Sequence, residues 1–208
     1  MCFQVFRRKP PATYILLLPS PWAQTYRSPG YSLGMSILKI ARLGHPVLRE
    51  PAIDVPVDEI GGQKLNDLIA DMLETVVDAD GAGLAAPQVH ISKRVVILSL
   101  DDTPGFTIWI NPVLTPVTNE HVITYEGCLS IPGMRGAVAR PSQVHVRALT
   151  PSGEVIDKVY QGFSAIVAQH ECDHLDGILY VDRVEPGTLT FLEEYQRFGA
   201  WPLQGLEE

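Results

Sequence analysis

One stretch restricts the possible folds more than any other. From Phe163 to Gly177 the chain reads FSAIVAQHECDHLDG. Phe163, Ile166 and Val167 fall at helical spacing, and Gly177 stands just past the end, where helices commonly close. Inside this helix sits His170-Glu171-Cys172-Asp173-His174, an H-E-x-x-H pattern. Residues four apart share a helical face, so both imidazoles reach one ion. Glu171, next to a ligand, leans over the ion's open position, the geometry of a general base for metal-bound water. The rest of the chain must bring further donors to this face, which makes the helix central.

Taken alone, the pattern reads as a zincin-type metalloprotease, which needs a third protein ligand. No histidine lies downstream of His174, and Glu185, Glu193 and Glu194 read as a solvated helix face. Upstream, Glu126-Gly127-Cys128-Leu129-Ser130 follows a candidate strand. A Cys128 thiolate with two imidazoles forms a His₂Cys set that leaves a fourth position for water. The plainer role for Cys128 is that of a small buried hydrophobe. Cys172 is the better fit to that role, since two residues after His170 it points to a different face.

The remaining pattern is one of strands in blocks rather than strict alternation with helices, which indicates an α+β domain with mixed or antiparallel sheets. QKLNDLIADMLETVVDADG repeats its apolar residues at three and four, an amphipathic helix that Gly81 closes. Candidate strands are 94–100, 106–110, 121–125, 143–149 and 155–160, the last two joined by a Pro151-Ser152-Gly153 turn. Residues 36–54 read as extended segments and turns. A last short helix falls in TLTFLEEYQRF.

Residues 1–34 stand apart. They contain Arg7, Arg8, Lys9 and Arg27 but no acid, whereas the whole chain carries −8. Their apolar run at 15–18 is short and ends at Pro19, which fits a secretory signal poorly. Five prolines hinder the amphipathic helix of an organelle transit peptide. The simplest reading is an upstream start or non-native extension before a catalytic domain spanning 35–208, with a leader as the alternative. The acidic body disfavours direct nucleic-acid binding. Three cysteines give no disulfide framework and favour a reducing compartment. No apolar run approaches the roughly 20 residues that span a bilayer. The expectation is a cytoplasmic protein, or an organellar one if residues 1–34 are a transit peptide.

Three motifs in order give the chain a resemblance. Gly81-Ala82-Gly83-Leu84-Ala85-Ala86-Pro87-Gln88, then Glu126 to Ser130, then Gln169 to Leu175 resemble the glycine-rich, cysteine and H-E-x-D-H motifs of bacterial-type peptide deformylases. The likeness runs from about Ser36 to Phe198. It implies hydrolysis of the N-formyl group from the initiator methionine of nascent polypeptides, met transiently near the ribosome, with release of formate. It implies Cys128, His170 and His174 as ligands of one divalent ion, usually iron(II), with zinc, nickel or cobalt able to substitute. It implies a metal-bound hydroxide as nucleophile and Glu171 as general acid/base. The Gln88 side chain and the Leu129 backbone N–H then bind the oxyanion. Behind the site it implies a Glu126–Arg135 ion pair, and Asp173 is a candidate to support a ligand histidine.

For the methionine and the peptide, Gly81, Gly83 and Gly127 allow close backbone approach. Phe163, Ile166 and Val167 share the His170 face and line a slot while also serving the core. Ala82 and Thr124 border that pocket and depart from the family, which often has bulkier aliphatic residues there. The acidic C-terminal region, with Glu193, Glu194, Glu207 and Glu208 against Arg197, does not match the basic helix by which some members dock. A metalloprotease has no use for Cys128. An inactive formyl-peptide-binding homologue would lack Gln88, Glu171 or a ligand, and none is missing. A structural metal site calls for four protein ligands and no adjacent Glu.

Overall fold

The run Val95-Val96-Ile97-Leu98 is apolar without alternation, and a strand of that kind needs cover on both sides. The computed structural model describes residues 36–200; the expected extension 1–34, Cys2 and the residues after 200 lie outside them. In chain order the strands are β1 (Gly83–Ala85), β2 (Val95–Ser99), β3 (Phe106–Pro116), β4 (His121–Cys128), β5 (Ile131–Pro141), β6 (Gln143–Leu149), β7 (Val155–Gln161) and β8 (Thr190–Phe191). The helices are α1 (Gln63–Asp78), α2 (Gly162–Leu175) and α3 (Leu192–Phe198). This is the α+β architecture expected, with antiparallel sheets, the H-E-x-x-H helix at the centre and a C-terminal helix.

Strands β1-β2-β3-β6-β7 form one sheet, and β4-β5-β8 form another. All named strand pairs are antiparallel. The period of two sorts the four apolar residues of β2 between two cores. Val95 and Ile97, opposite Ile110 and Ile108 of β3, join Leu65, Ile69, Met72 and Val76 of α1. Val96 and Leu98, with Trp109 opposite Val96, join Ala165, Ile166, Val167 and Ala168 of α2. The five-stranded sheet is thus a layer between α1 and α2.

Helix α2 is more deeply buried than an amphipathic pattern implies. Ser164 to Ala168 and His170 to Leu175 are all buried. The helix packs on the five-stranded sheet and also touches β5 of the other sheet. Its polar residues therefore face protein, not water.

Four elements differ from the sequence expectation. β5 is not among the candidate strands above; it contains Pro132, Gly133, Gly136 and Pro141, residue types that weaken a strand pattern. Gly133 in fact sits at φ +75°, inside a bulge where more residues of β5 than of β4 separate the Glu126–Gly136 and Cys128–Ile131 pairs. β3 runs on past Ile110 to Pro116, with a register shift after Ile110. β1 occupies part of the expected glycine-rich turn. Helix α1 ends at Asp78, and Asp80 rather than Gly81 takes the left-handed conformation, at φ +51°.

Because Ile97 is fully buried in the doubly covered strand, Ile97→Ala should lower unfolding free energy by about 2–5 kcal/mol. Urea denaturation checks this. A loss below about 1 kcal/mol would show that the two layers close over the gap.

Candidate metal centre

The spacing of His170 and His174 on α2 puts their rings 5.2 Å apart, centroid to centroid, at an interplanar angle of 77°. Cys128 is the last residue of β4, just before the Leu129-Ser130 turn that returns the chain into β5. The hairpin delivers its thiol to the helix. Ligand atoms of Cys128, His170 and His174 all lie within 4.8 Å of one another, and all three residues are buried. Cys128 Sγ is 3.2 Å from His174 Nε2. His170 Nδ1 is 2.8 Å from Glu126 Oε2. A ring held at Nδ1 by a carboxylate presents Nε2 to an ion, as ligand histidines commonly do. One thiolate and two imidazoles, converging in a buried space, suit a borderline-soft divalent ion. The residues present fit such an ion.

Gln88 stands at the rim of this cluster and is fully buried. Its Oε1 accepts from Ala85 N–H at 2.8 Å, which turns the NH₂ the other way. The Nε2 then lies 3.4 Å from Cys128 Sγ and 3.2 Å from Ser130 Oγ. Ser130 N–H also points at Cys128 Sγ, at 3.4 Å. Two N–H groups, of Gln88 and of Ser130, thus lie against the Cys128 sulfur.

Glu171 is fully buried and lies over the backbone of Gly83. A Cβ at Gly83 would stand 2.5 Å from Glu171 Oε1, so only glycine leaves room for the carboxylate. Gly127 meets the same constraint from Arg135: an added Cβ would overlap its guanidinium. Two of the three glycines of the sequence reading, Gly83 and Gly127, are thus needed for close side-chain approach.

The guanidinium paired with Glu126 belongs to Arg140, not Arg135. Arg140 Nε and Nη2 donate to the two Glu126 oxygens, the latter at 2.9 Å, and its Nη1 donates to Asp173 Oδ2 at 2.8 Å. The reason is strand parity. Glu126 pairs with Gly136 across the hairpin, and Arg140 falls on the face of Gly136 while Arg135 falls on the other. Arg135 packs against Gly127 and donates to the Met134 carbonyl at 2.8 Å. Asp173 also accepts two bonds from Arg183, each 2.8 Å. An alternating chain of charges therefore runs from Arg183 through Asp173, Arg140 and Glu126 to His170. Burial pushes the Glu126 carboxyl upward, but His170 and Arg140 together hold it below its ordinary value.

Other residues fall into place around this centre. Ile166 and Val167 are buried with Trp109 and Leu98, and Ala82 and Phe163 pack against that cluster. Gly81 lies against Val76 and Leu129. Thr124 is across the hairpin from Val138, half-buried, with no hydrogen-bond partner for its Oγ1 among the described residues. Cys172 is buried, and desolvation pushes its thiol up. Tyr180, unremarked in the sequence, stacks on His170 with centroids 6.2 Å apart, and burial pushes its phenol up to about 12. Arg140 was legible only to a reader who already had β5 as a strand; nothing local marks Tyr180.

The chain is similar to known proteins in both sequence and fold. The family model described as Polypeptide deformylase matches residues 37–189. A peptide deformylase of Leptospira biflexa is 42% identical over 160 residues, covering 73% of this chain and 89% of that protein. "Peptide deformylase 1A, chloroplastic" of Solanum lycopersicum is 36% identical over 187 residues, covering 79% of this chain and 68% of that protein. Among solved structures, the Met-Ala-Ser-bound class I type b peptide deformylase of Acinetobacter baumannii has a TM-score of 0.69 at 38% identity, covering 72% of this chain and 99% of that one.

Arg140→Ala leaves two buried carboxylates without their shared cation and should cost about 3–5 kcal/mol. Denaturation at neutral pH measures it. Glu126 titrates below its ordinary value, so the stability from its pairing is present above the ordinary carboxylate range and is lost as pH falls through the lowered value. The variant should lack that acid limb, and a retained limb would assign it to other carboxylates.

Proposed function

Since the chain belongs to the polypeptide deformylase family, and is thereby a hydrolase, we propose that it removes the N-formyl group from the N-terminal methionine of nascent polypeptides. The observation that carries this reading is the convergence of the buried Cys128, His170 and His174 donors beside the Gln88 amide, with the buried Glu171 carboxylate over Gly83. The Met-Ala-Ser held by the Acinetobacter relative is what deformylation of formyl-Met-Ala-Ser would leave.

Cys128, His170 and His174 would hold one divalent ion, iron(II) by preference, with zinc, nickel or cobalt as substitutes. Bound there, such an ion would supply an acidified water as the nucleophile that amide hydrolysis needs at neutral pH. Glu171 would take a proton from the attacking water and return it to the departing amine. As the formyl carbon becomes tetrahedral, its oxygen gains negative charge. The Gln88 NH₂, fixed by Ala85, and the Leu129 N–H stabilise that charge without reorganising. Glu126, held by Arg140, keeps His170 in the ligating orientation.

The methionine side chain occupies a slot formed by Phe163 and Ile166, backed by Val167. Ala82, Thr124 and Gly127 shape its borders. β1 is an edge strand, so an extended peptide can lie along Gly81 to Gly83 as an added strand. Main-chain pairing of that kind leaves later substrate side chains loosely read. The substrate is met near the ribosome, in the cytoplasm or in an organelle. The described residues contain no helix long and apolar enough to cross a membrane.

The test is formate release from formyl-Met-Ala-Ser by anaerobically prepared protein loaded with iron(II) or nickel(II). An N-acetyl analogue and an internally cleavable peptide run beside it. Release that is abolished by chelation and by Glu171→Ala is expected, with metal retained in that variant. Cys128→Ala should instead weaken metal retention. Cleavage of the internal peptide would favour a metalloprotease, and no release from folded, loaded protein would sink the deformylase reading. Gly83→Ala should displace Glu171 and lower kcat by about 10²-fold, the scale of a lost general acid/base, with metal content unchanged. Unaltered kcat would mean that the carboxylate does not need its place over Gly83.

A further inference from the structure

The segment just before the Gly44 turn has no part in the chemistry assigned above, yet it touches both sides of the site. Ala41 N–H donates to the Gln88 carbonyl at 2.8 Å, and Leu43 N–H donates to the Ser130 carbonyl at 2.9 Å. Between them, Arg42 Nη1 donates to the Leu129 carbonyl. These three acceptors belong to the two segments that carry the Gln88 amide and the Leu129 N–H. The backbone of Arg42 is itself fixed by a turn: His45 N–H donates to the Arg42 carbonyl at 2.9 Å, and Gly44 takes φ +99°.

The Leu129 carbonyl and the Ser130 N–H are opposite ends of one peptide unit. That N–H points at Cys128 Sγ, 3.4 Å away. A guanidinium on the carbonyl end polarises the unit and makes its N–H a stronger donor to the thiolate. It also holds the plane of that peptide and, with the Leu43 N–H bond to the Ser130 carbonyl, restrains the backbone at Leu129, whose own N–H is the proposed oxyanion donor. We infer that Arg42 is a positioning residue of the deformylation site, acting through the Leu129–Ser130 peptide on the Cys128 sulfur and on the oxyanion donor. This rests on the deformylase reading given above. The Arg42 guanidinium bonds the Leu129 carbonyl rather than a ligand side chain or the Gln88 amide, so its effect falls on turnover rather than on substrate capture.

The experiment uses the full chain as wild type, Arg42→Ala and Arg42→Lys, each loaded with nickel(II) for kinetics and with cobalt(II) for spectroscopy. For formyl-Met-Ala-Ser, Arg42→Ala should lose about tenfold in kcat, less than the about 10²–10³ of a deleted oxyanion donor, with KM unchanged. Arg42→Lys should recover most of that loss. A thiolate that loses hydrogen bonding donates charge more readily, so the sulfur-to-cobalt band should move to lower energy in Arg42→Ala and return in Arg42→Lys. Should Arg42→Ala fold poorly, Arg42→Gln keeps a neutral donor and should show both changes in smaller degree. An unmoved band with kcat within about twofold of wild type overturns the inference, as does a raised KM at constant kcat, which marks a contact with the peptide. If the wild type itself releases no formate, the deformylase reading fails, and the cobalt band still reports whether Arg42 acts on Cys128.

Discussion

A helix buried all round is ordinarily apolar all round. α2 is not. It carries His170, Glu171, Asp173 and His174 into the space between the five-stranded sheet and β5, and much of the architecture satisfies what that placement demands. An unpaired buried charge is costly enough to unfold a marginal domain. Glu126 answers His170, Arg140 answers both Glu126 and Asp173, and Arg183 completes Asp173. The apolar side of the same helix is set by the same condition. Ala165, Ile166, Val167 and Ala168 meet Val96, Leu98 and Trp109 closely, so the helix cannot shift to relieve a misplaced polar group. Packing holds the site rigid and charge pairing makes that rigidity tolerable.

The two sheets have different tasks in this arrangement. The five-stranded sheet supplies mass: its β2 is buried on both faces, and its free edge β1 leads directly into the short turn that carries Gln88. The three-stranded sheet brings the Cys128 donor to the two histidines through one hairpin. Its two-residue turn places Cys128 at a strand end, leaves Leu129 N–H at the corner and aims Ser130 N–H at the sulfur. A ligand at the end of a paired strand is better fixed than one in a loop, because the ladder behind it sets its position.

What the sequence disclosed follows the range of the interaction. His170 and His174 are four apart on a helix, and their shared face is a local property; so are the apolar runs of β2, β6 and β7. Cys128 was found through its motif and meets the helix as expected. Arg140 was missed in favour of Arg135 because the choice depends on strand parity in β5, and Pro132, Gly133 and Gly136 hide that strand. Tyr180 on His170 and Arg42 on Leu129 are contacts between segments far apart in sequence, which no local pattern encodes.

The glycines show how local and distant constraints combine. Gly83 and Gly127 look alike in sequence, each beside a motif residue, and both read as places for a bound peptide to approach. In the fold each is first occupied by the chain itself, Gly83 by the Glu171 carboxylate and Gly127 by the Arg135 guanidinium. Neither needs a left-handed backbone, since neither is among the positive-φ glycines. The missing Cβ is needed for space, so alanine would strain the side-chain contact rather than the turn. Two charged groups thereby reach positions beside the backbone that no other residue would permit. One of them, Glu171, comes to rest against Gly83 of the edge strand β1, so the carboxylate proposed as the general acid/base and the strand proposed to receive the peptide meet at one glycine.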